Sequence, residues 1–148
     1  MEYFVLKNQQ GNPALQTAPL FGKLDVRKLT RKAYKELPKY LLLEMKTGVD
    51  IFYPDIITEP LLLVSKEVLD VFQMYDSTLP FLFVVLFDVS KEESRPYYLP
   101  VVTEGDEKCR EPIYRIRNRE RWEIRIRLDV AESLLWRNAS GFELVRCI

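Results

Sequence analysis

The sequence contains no histidine, and this absence excludes more chemistry than any other feature of its composition. Without histidine the chain cannot build a Ser-His-Asp or Cys-His catalytic site, and it has no general base whose unperturbed pKa is near neutrality. Its five glycines form neither a GxGxxG motif nor a P-loop. We therefore expect no catalytic residues, no cofactor and no enzymatic activity.

Cysteine is also scarce. The two cysteines, Cys109 and Cys147, are too few for a disulfide framework. Two reduced thiols are the expectation, and a bridge between them is the alternative that the sequence leaves open. Two distant cysteines and carboxylates are a poor ligand set for zinc, so no metal site is predicted.

Charge of one sign and long apolar segments are lacking as well. Lysine plus arginine equals aspartate plus glutamate at 22 each, so no net field attracts nucleic acid or an anionic membrane. The longest apolar run, residues 81–87, is far shorter than the ~20 residues that span a bilayer. The opening MEYFVLK lacks the basic region of a secretory signal. These features predict a cytoplasmic protein that does not associate with a membrane.

The 148 residues, of which 47% are hydrophobic, can bury the core of one domain over residues 1–148. Predicted strands and helices are interleaved without regular alternation. This order predicts an α+β fold, a mainly antiparallel twisted sheet with about three helices. Residues 81–87 are apolar on both faces, which predicts a central strand covered on two sides.

The three predicted helices each have a recognisable beginning. Asp25 begins a helix that ends near residue 36, Ser65 begins one that ends near residue 75, and Asp129 begins the last, where Glu132 completes a capping box. The apolar face of the last helix is predicted to comprise Val130, Ala131, Leu134 and Leu135. Residues 138–141 supply a left-handed exit from this helix.

The C-terminal half also contains a predicted hairpin. Residues 113–117 and 122–128 alternate in polarity and pair across residues 118–121, with Trp122 on the buried face. Further strands are predicted at residues 3–6, 40–45, 61–64, 97–102 and from residue 142 onwards.

The succession of these segments resembles a family of bacterial immunity proteins from polymorphic toxin systems, formerly a domain of unknown function. The similarity extends over most of the chain and is strongest at LLLVSKEVLDVF and LDVAESLLWRNASGFEL. Both segments are structural in character, so the resemblance carries over no catalytic residue. It implies a cytoplasmic antidote that binds and blocks a cognate toxin.

Two features are candidates for toxin binding. Trp136 lies nearly opposite the apolar stripe of its helix, which predicts an exposed interface anchor; the alternative is that another segment covers it. The acidic loop, defined here as Glu104, Asp106 and Glu107, would meet a basic toxin surface and speed association. The alternative for the loop is a solvated turn without a partner.

An arginine-rich hairpin at residues 110–127 favours a different function. It contains Arg110, Arg115, Arg117, Arg119, Arg121, Arg125 and Arg127, against Glu111, Glu120 and Glu123. With Lys28, Arg31, Lys32 and Lys35 it could form the basic patch of a nucleic-acid-associated module. Only Tyr114 and Trp122 are available there for base stacking. On the resemblance, a toxin-neutralising binding protein is the leading hypothesis; the nucleic-acid-associated module is the alternative, and nucleic acid is not the expected partner.

Overall fold

The computed structural model describes residues 2–9, 24–45, 53–89, 91–119 and 121–147. In this part of the chain the fold is α+β, with two five-stranded sheets and two α-helices. The predicted class is confirmed. The prediction of one sheet is wrong because the strands divide into two, and the helix count is one too high.

The elements follow the chain in an irregular order of strands and helices. The strands are β1 (Tyr3–Asn8), β2 (Tyr40–Glu44), β3 (Ile56–Ile57), β4 (Leu63–Val64), β5 (Phe81–Asp88), β6 (Glu93–Pro100), β7 (Thr103–Glu104), β8 (Ile113–Asn118), β9 (Arg121–Arg127) and β10 (Phe142–Arg146). The helices are α1 (Lys66–Tyr75) and α2 (Leu128–Trp136). No helix in the described ranges is long and apolar enough to cross a membrane.

Sheet A has the strand order β10-β1-β9-β8-β7. All its pairs are antiparallel except β7 with β8. Strands β8 and β9 form the predicted hairpin, in a register that places Arg117 opposite Trp122 and Arg115 opposite Ile124. Because directly paired residues point to the same side of a sheet, these four side chains share one face.

Sheet B has the strand order β2-β5-β6-β4-β3, and only β2 and β5 run parallel. Strand β5 lies between β2 and β6, which confirms the predicted central position of residues 81–87. One face of β5 is buried at Leu82, Val84 and Leu86. The other face is only half-buried, and Phe81 is 43% exposed. The prediction of complete cover on both sides is therefore wrong.

Helix α1 forms where the sequence predicts it. The Ser65 hydroxyl accepts a hydrogen bond from the Val68 amide, which satisfies one of the free donors of the first turn. The buried side chains at helical spacing are Val68, Leu69, Val71 and Phe72. Complete burial of a side chain of this kind stabilises the fold by about 1.5–3 kcal/mol, so this face holds the helix in place.

Helix α2 begins differently from the prediction. Strand β9 continues directly into the helix, so Arg127 occupies the N-cap position and Asp129 lies in the first turn. The Asp129 carboxylate binds the Arg127 guanidinium, with both N–O distances 2.8 Å. The predicted capping box is therefore wrong. The predicted apolar face is also too wide, because Leu135 is 57% exposed.

The segment between residues 24 and 37 is not the predicted helix. It forms two short 3-10 turns, Val26–Lys28 and Tyr34–Glu36, and the Asp25 carboxylate caps the first by accepting from the Arg27 amide. The buried residues of the segment are Leu24, Leu29 and Leu37. Their spacing follows no single face of a helix, so the broken path is what brings all three to sheet B.

Two apolar clusters stabilise the fold. The larger one joins both helices to sheet A and to β3 and β4 of sheet B, through residues such as Phe72, Ile126, Leu134 and Val64. The other lies between sheet B and the segment of residues 24–37. Sheet B is therefore in contact with apolar residues on two sides.

The exit from α2 confirms the predicted left-handed turn. Asn138 has φ 55° and Gly141 has φ 89°. The turn is bound to the loop at residues 53–55, because the amide and hydroxyl of Ser140 both donate to the Asp55 carboxylate. A Cβ atom on Gly141 would lie 1.9 Å from the Cβ of Pro54. Glycine is thus required at position 141 by conformation and by space.

The Gly141→Ala variant should lower the free energy of unfolding by about 2–4 kcal/mol, because it adds left-handed strain and a clash with Pro54. The matched control is Asn138→Gly, which removes a side chain from the other left-handed position and should change stability by less than about 1 kcal/mol. Urea unfolding measures both values. Equal effects for the two variants would contradict the close packing of residues 54 and 141.

Candidate functional site

Trp136 is the most exposed large apolar residue among those described. It lies in the last turn of α2 with 87% of its surface accessible, on the side of the helix opposite Val130, Ala131 and Leu134. Its predicted exposure is confirmed, and none of the described segments covers it. Its role in binding stays a prediction.

Trp136 is part of an exposed surface at the ends of the two helices. We call Met74, Leu135, Trp136 and Arg137 the helix surface. Met74 is 63% exposed, and its sulfur accepts a hydrogen bond from the Arg137 guanidinium at 3.8 Å. The two helices are also joined by the Tyr75 hydroxyl, which donates to the carbonyl of Asp129 in the first turn of α2 at 3.1 Å. The helix surface therefore combines residues from the ends of two helices that are bonded to each other.

The acidic loop is not a free acidic patch. Glu104 binds Arg115 and Glu107 binds Arg125, each with an N–O distance of 2.8 Å. The Asp106 carboxylate accepts from the Lys108 amide within the turn. The side chains of Glu104 and Glu107 are still 50% and 74% exposed, so the loop remains accessible to a partner. Its binding role stays a prediction, with part of its charge compensated inside the protein.

The arginines of the hairpin do not form one stripe. The register of β8 and β9 places Arg115 and Arg117 on one face of sheet A and the arginines of β9 on the other. The arginines of β9 bind carboxylates: Arg121 pairs with Glu59, Arg125 with Glu107 and Glu123, and Arg127 with Asp129. The Glu107 hydrogen bond raises the pKa of Arg125, and Arg127 lowers the pKa of Asp129. Glu120 lies outside the described residues.

The N-terminal cations that would have extended such a patch are also partly paired. Lys28 lies 3.7 Å from Glu36, and Arg31 binds Asp76 at 2.6 Å. A duplex or single strand needs a continuous row of free cations along its backbone. The arrangement therefore does not favour the nucleic-acid hypothesis.

Both cysteines are free thiols in the structure. Cys109 and Cys147 pack against the cluster of Tyr3, Tyr114 and Ile116 on the face of sheet A that carries Arg125. Burial raises the pKa of the Cys147 thiol, which keeps it protonated at neutral pH and lowers its reactivity.

Trp122 lies on the predicted face of the hairpin, with the buried Ile124 and Ile126, but it is not itself buried. It is 40% exposed, because it lies near the tip of the hairpin, beyond the residues that belong to the main apolar cluster. The guanidinium carbons of Arg115 and Arg117 lie 4.2 and 5.3 Å from the centre of its ring. Both distances are within the range of cation–π attraction. We call these three residues the arginine–tryptophan cluster.

A cavity of about 340 Å³ lies beside the arginine–tryptophan cluster. It opens where the hairpin of sheet A meets the end of β6 and the turn Val26–Lys28. The polar residues of its wall are Arg27, Thr30, Thr58, Glu104, Arg115 and Arg117, and the apolar ones include Leu29, Leu61, Leu99 and Val102. Sequence reasoning missed this site because its wall comes from four separate segments. The one available signal was the shared face of Arg115, Arg117 and Trp122.

Among the described residues no group of three or more cysteine, aspartate or glutamate side chains could hold a metal ion. Comparison with known proteins adds no assignment: no protein-family model and no curated protein matches the chain.

The exposure of Trp136 has a measurable consequence for stability. Trp136→Ala should lower the free energy of unfolding by less than about 1 kcal/mol, whereas Leu134→Ala, two residues earlier and fully buried, should lower it by about 2–5 kcal/mol. Chemical denaturation of both variants checks this. A loss of ~3 kcal/mol or more for Trp136→Ala would mean that the side chain is part of the core.

Proposed function

We propose that this chain is a cytoplasmic immunity protein that neutralises a cognate bacterial toxin by binding it. The proposal begins from the resemblance at residues 61–72 and 128–144. The observation that carries the proposal is the helix surface, where Trp136 is 87% exposed. An exposed tryptophan adds little to the stability of the fold, whereas a partner that covers it would gain binding energy.

The composition of the helix surface supports a protein partner. Tryptophan and arginine are the residue types most enriched at the energetic centres of protein interfaces, and methionine adapts its shape to a partner. Trp136 and Arg137 are adjacent in the chain, and Met74 lies beside Arg137. The two helices that carry these residues pack in one buried cluster, which limits the backbone rearrangement needed when a partner binds.

The acidic loop has a secondary part in this proposal. Its two glutamates are exposed but compensated by arginines, so their field weakens with distance faster than that of free charges. In this proposal the loop attracts a basic toxin surface and raises the association rate, but it contributes little to the affinity of the final complex.

The partner to test is the C-terminal domain of a toxin encoded directly upstream. Trp136→Ala should raise the dissociation constant for this domain at least ~30-fold, about 2 kcal/mol, mainly by faster dissociation. The matched control is Tyr40→Ala. Tyr40 is an aromatic residue that is 74% exposed on the edge strand β2, and its loss should change affinity less than ~3-fold.

Surface plasmon resonance with the purified domain gives both rates, and the melting temperature of each variant shows whether it is folded. If Tyr40→Ala weakens binding and Trp136→Ala does not, the assignment to the helix surface is wrong. If the upstream domain does not bind the wild-type chain at all, the proposed function itself fails.

The acidic loop predicts a different kinetic signature. The triple variant Glu104→Gln, Asp106→Asn, Glu107→Gln should slow association several-fold at low salt and flatten its salt dependence, with little change in dissociation. The control removes the same net charge at exposed positions elsewhere: Glu36→Gln, Glu92→Gln, Glu93→Gln. Equal slowing by both variants would show that net charge matters and that the loop has no local role.

A further inference from the structure

We infer that the cavity beside the arginine–tryptophan cluster binds a small organic oxyanion, a phosphate or carboxylate joined to a compact flat or apolar group. The binding residues are Arg115 and Arg117. This site is separate from the helix surface and does not depend on the proposed function.

The charges in the cavity wall favour an anion. Three guanidiniums and one carboxylate belong to the wall. Glu104 binds Arg115, and Arg27 binds Asp25, which is not part of the wall. Arg117 has no carboxylate partner among the described residues, and its only ring contact there is with Trp122. An uncompensated cation at the wall of a cavity is the usual requirement for an anionic ligand.

The hydrogen-bonding capacity of Arg115 is also incompletely used. Its side chain is only 12% exposed. Nη2 donates to the Leu29 carbonyl at 2.7 Å and to Glu104 at 2.8 Å, while the buried Nε has no acceptor among the described atoms. The buried Nε is closed to solvent, so the donors left for a ligand are those of Nη1, for which no acceptor is found among the described atoms. An oxyanion in the cavity supplies an acceptor for Nη1.

The cluster is held in position before any ligand arrives. Arg115 is fixed by two hydrogen bonds and by its contact with Trp122, and the same ring holds Arg117. Long arginine side chains otherwise lose considerable rotamer freedom on binding. Because that loss has largely occurred for Arg115 during folding, its guanidinium needs little further ordering to bind an oxyanion, and Arg117 lies against the same ring.

Size and apolar lining define the rest of the ligand. The 340 Å³ volume lies at the lower end of the roughly 300–1,000 Å³ typical of small-molecule sites, which suits a molecule of mononucleotide size. Leucine and valine side chains form much of the rest of the wall. They leave room for a flat or apolar group, whereas a free inorganic ion would leave this part of the cavity empty.

The chain offers a built-in reporter for the test. It has two tryptophans, so Trp136→Phe leaves Trp122, within the cavity wall, as the only tryptophan. Fluorescence titration and calorimetry of this variant use adenosine monophosphate and benzoate as oxyanion probes, adenosine as the uncharged control and inorganic phosphate as the control without a ring. At least one oxyanion probe should saturate the site with a dissociation constant below ~1 mM.

Arg117→Gln should weaken that binding at least ~10-fold without lowering the melting temperature, because Arg117 is exposed. Arg119→Gln removes the same charge from the neighbouring turn, outside the cavity wall, and should change affinity less than ~2-fold. Saturation by only the phosphate or only the carboxylate probe supports the site and identifies its oxyanion. Binding of adenosine as tight as that of the monophosphate, equal effects of the two arginine variants, or no saturation by either oxyanion probe would overturn the proposal.

Discussion

The structure depends on the apolar contact in which both helices, sheet A and the short strands of sheet B meet. Phe72 and Leu69 of α1, Leu134 of α2, Ile126 of β9 and Val64 of β4 are all buried in this one cluster. Neither sheet could hide its apolar face alone, because each has only five strands and two of those in sheet B have two residues. The cluster therefore fixes how the sheets face each other. Leu62, Val102 and Ile124 of this cluster also line the cavity near the tip of the β8–β9 hairpin.

Ion pairs within the fold determine which charged side chains remain available to a partner. The acidic loop and the arginine-rich hairpin look like independent binding features in the sequence, but Glu104 and Glu107 bind Arg115 and Arg125. In each pair the arginine is nearly buried, so the glutamate compensates a guanidinium that the fold has removed from most of its water. Each pair also affects recognition, because it removes one charge of each sign from the surface. Arg117 escapes this compensation among the described residues, which gives the cavity its positive character.

The parts of the fold that follow from local signals could be predicted from the sequence. The Ser65 hydroxyl caps α1 by accepting a hydrogen bond from the Val68 amide, three residues later. Gly141 completes the turn after α2 by adopting a left-handed backbone conformation. The predictions that were wrong concern features set by residues elsewhere in the chain. Asp25 caps a turn, but leucines that must reach sheet B interrupt the helix. Asp129 could not cap α2 because β9 runs into the helix without a break. The exposure of Trp136 was predictable from one helix, whereas the cavity required four segments and was not.

The two tryptophans show how the surroundings of a side chain select the ligand that suits it. Both are exposed, yet Trp122 lies under two guanidiniums, whereas no ring or cation–π contact is found for Trp136 among the described residues. A ring already engaged by cations cannot easily accept an apolar partner, because covering it would also desolvate the charges. It suits a polar ligand that binds those charges directly. A ring without such neighbours gains most from a partner that excludes water on all sides, which is what a protein interface provides. The surroundings of the two rings therefore favour the proposed small-molecule site at one end of sheet A and the proposed protein-binding surface at the end of α2.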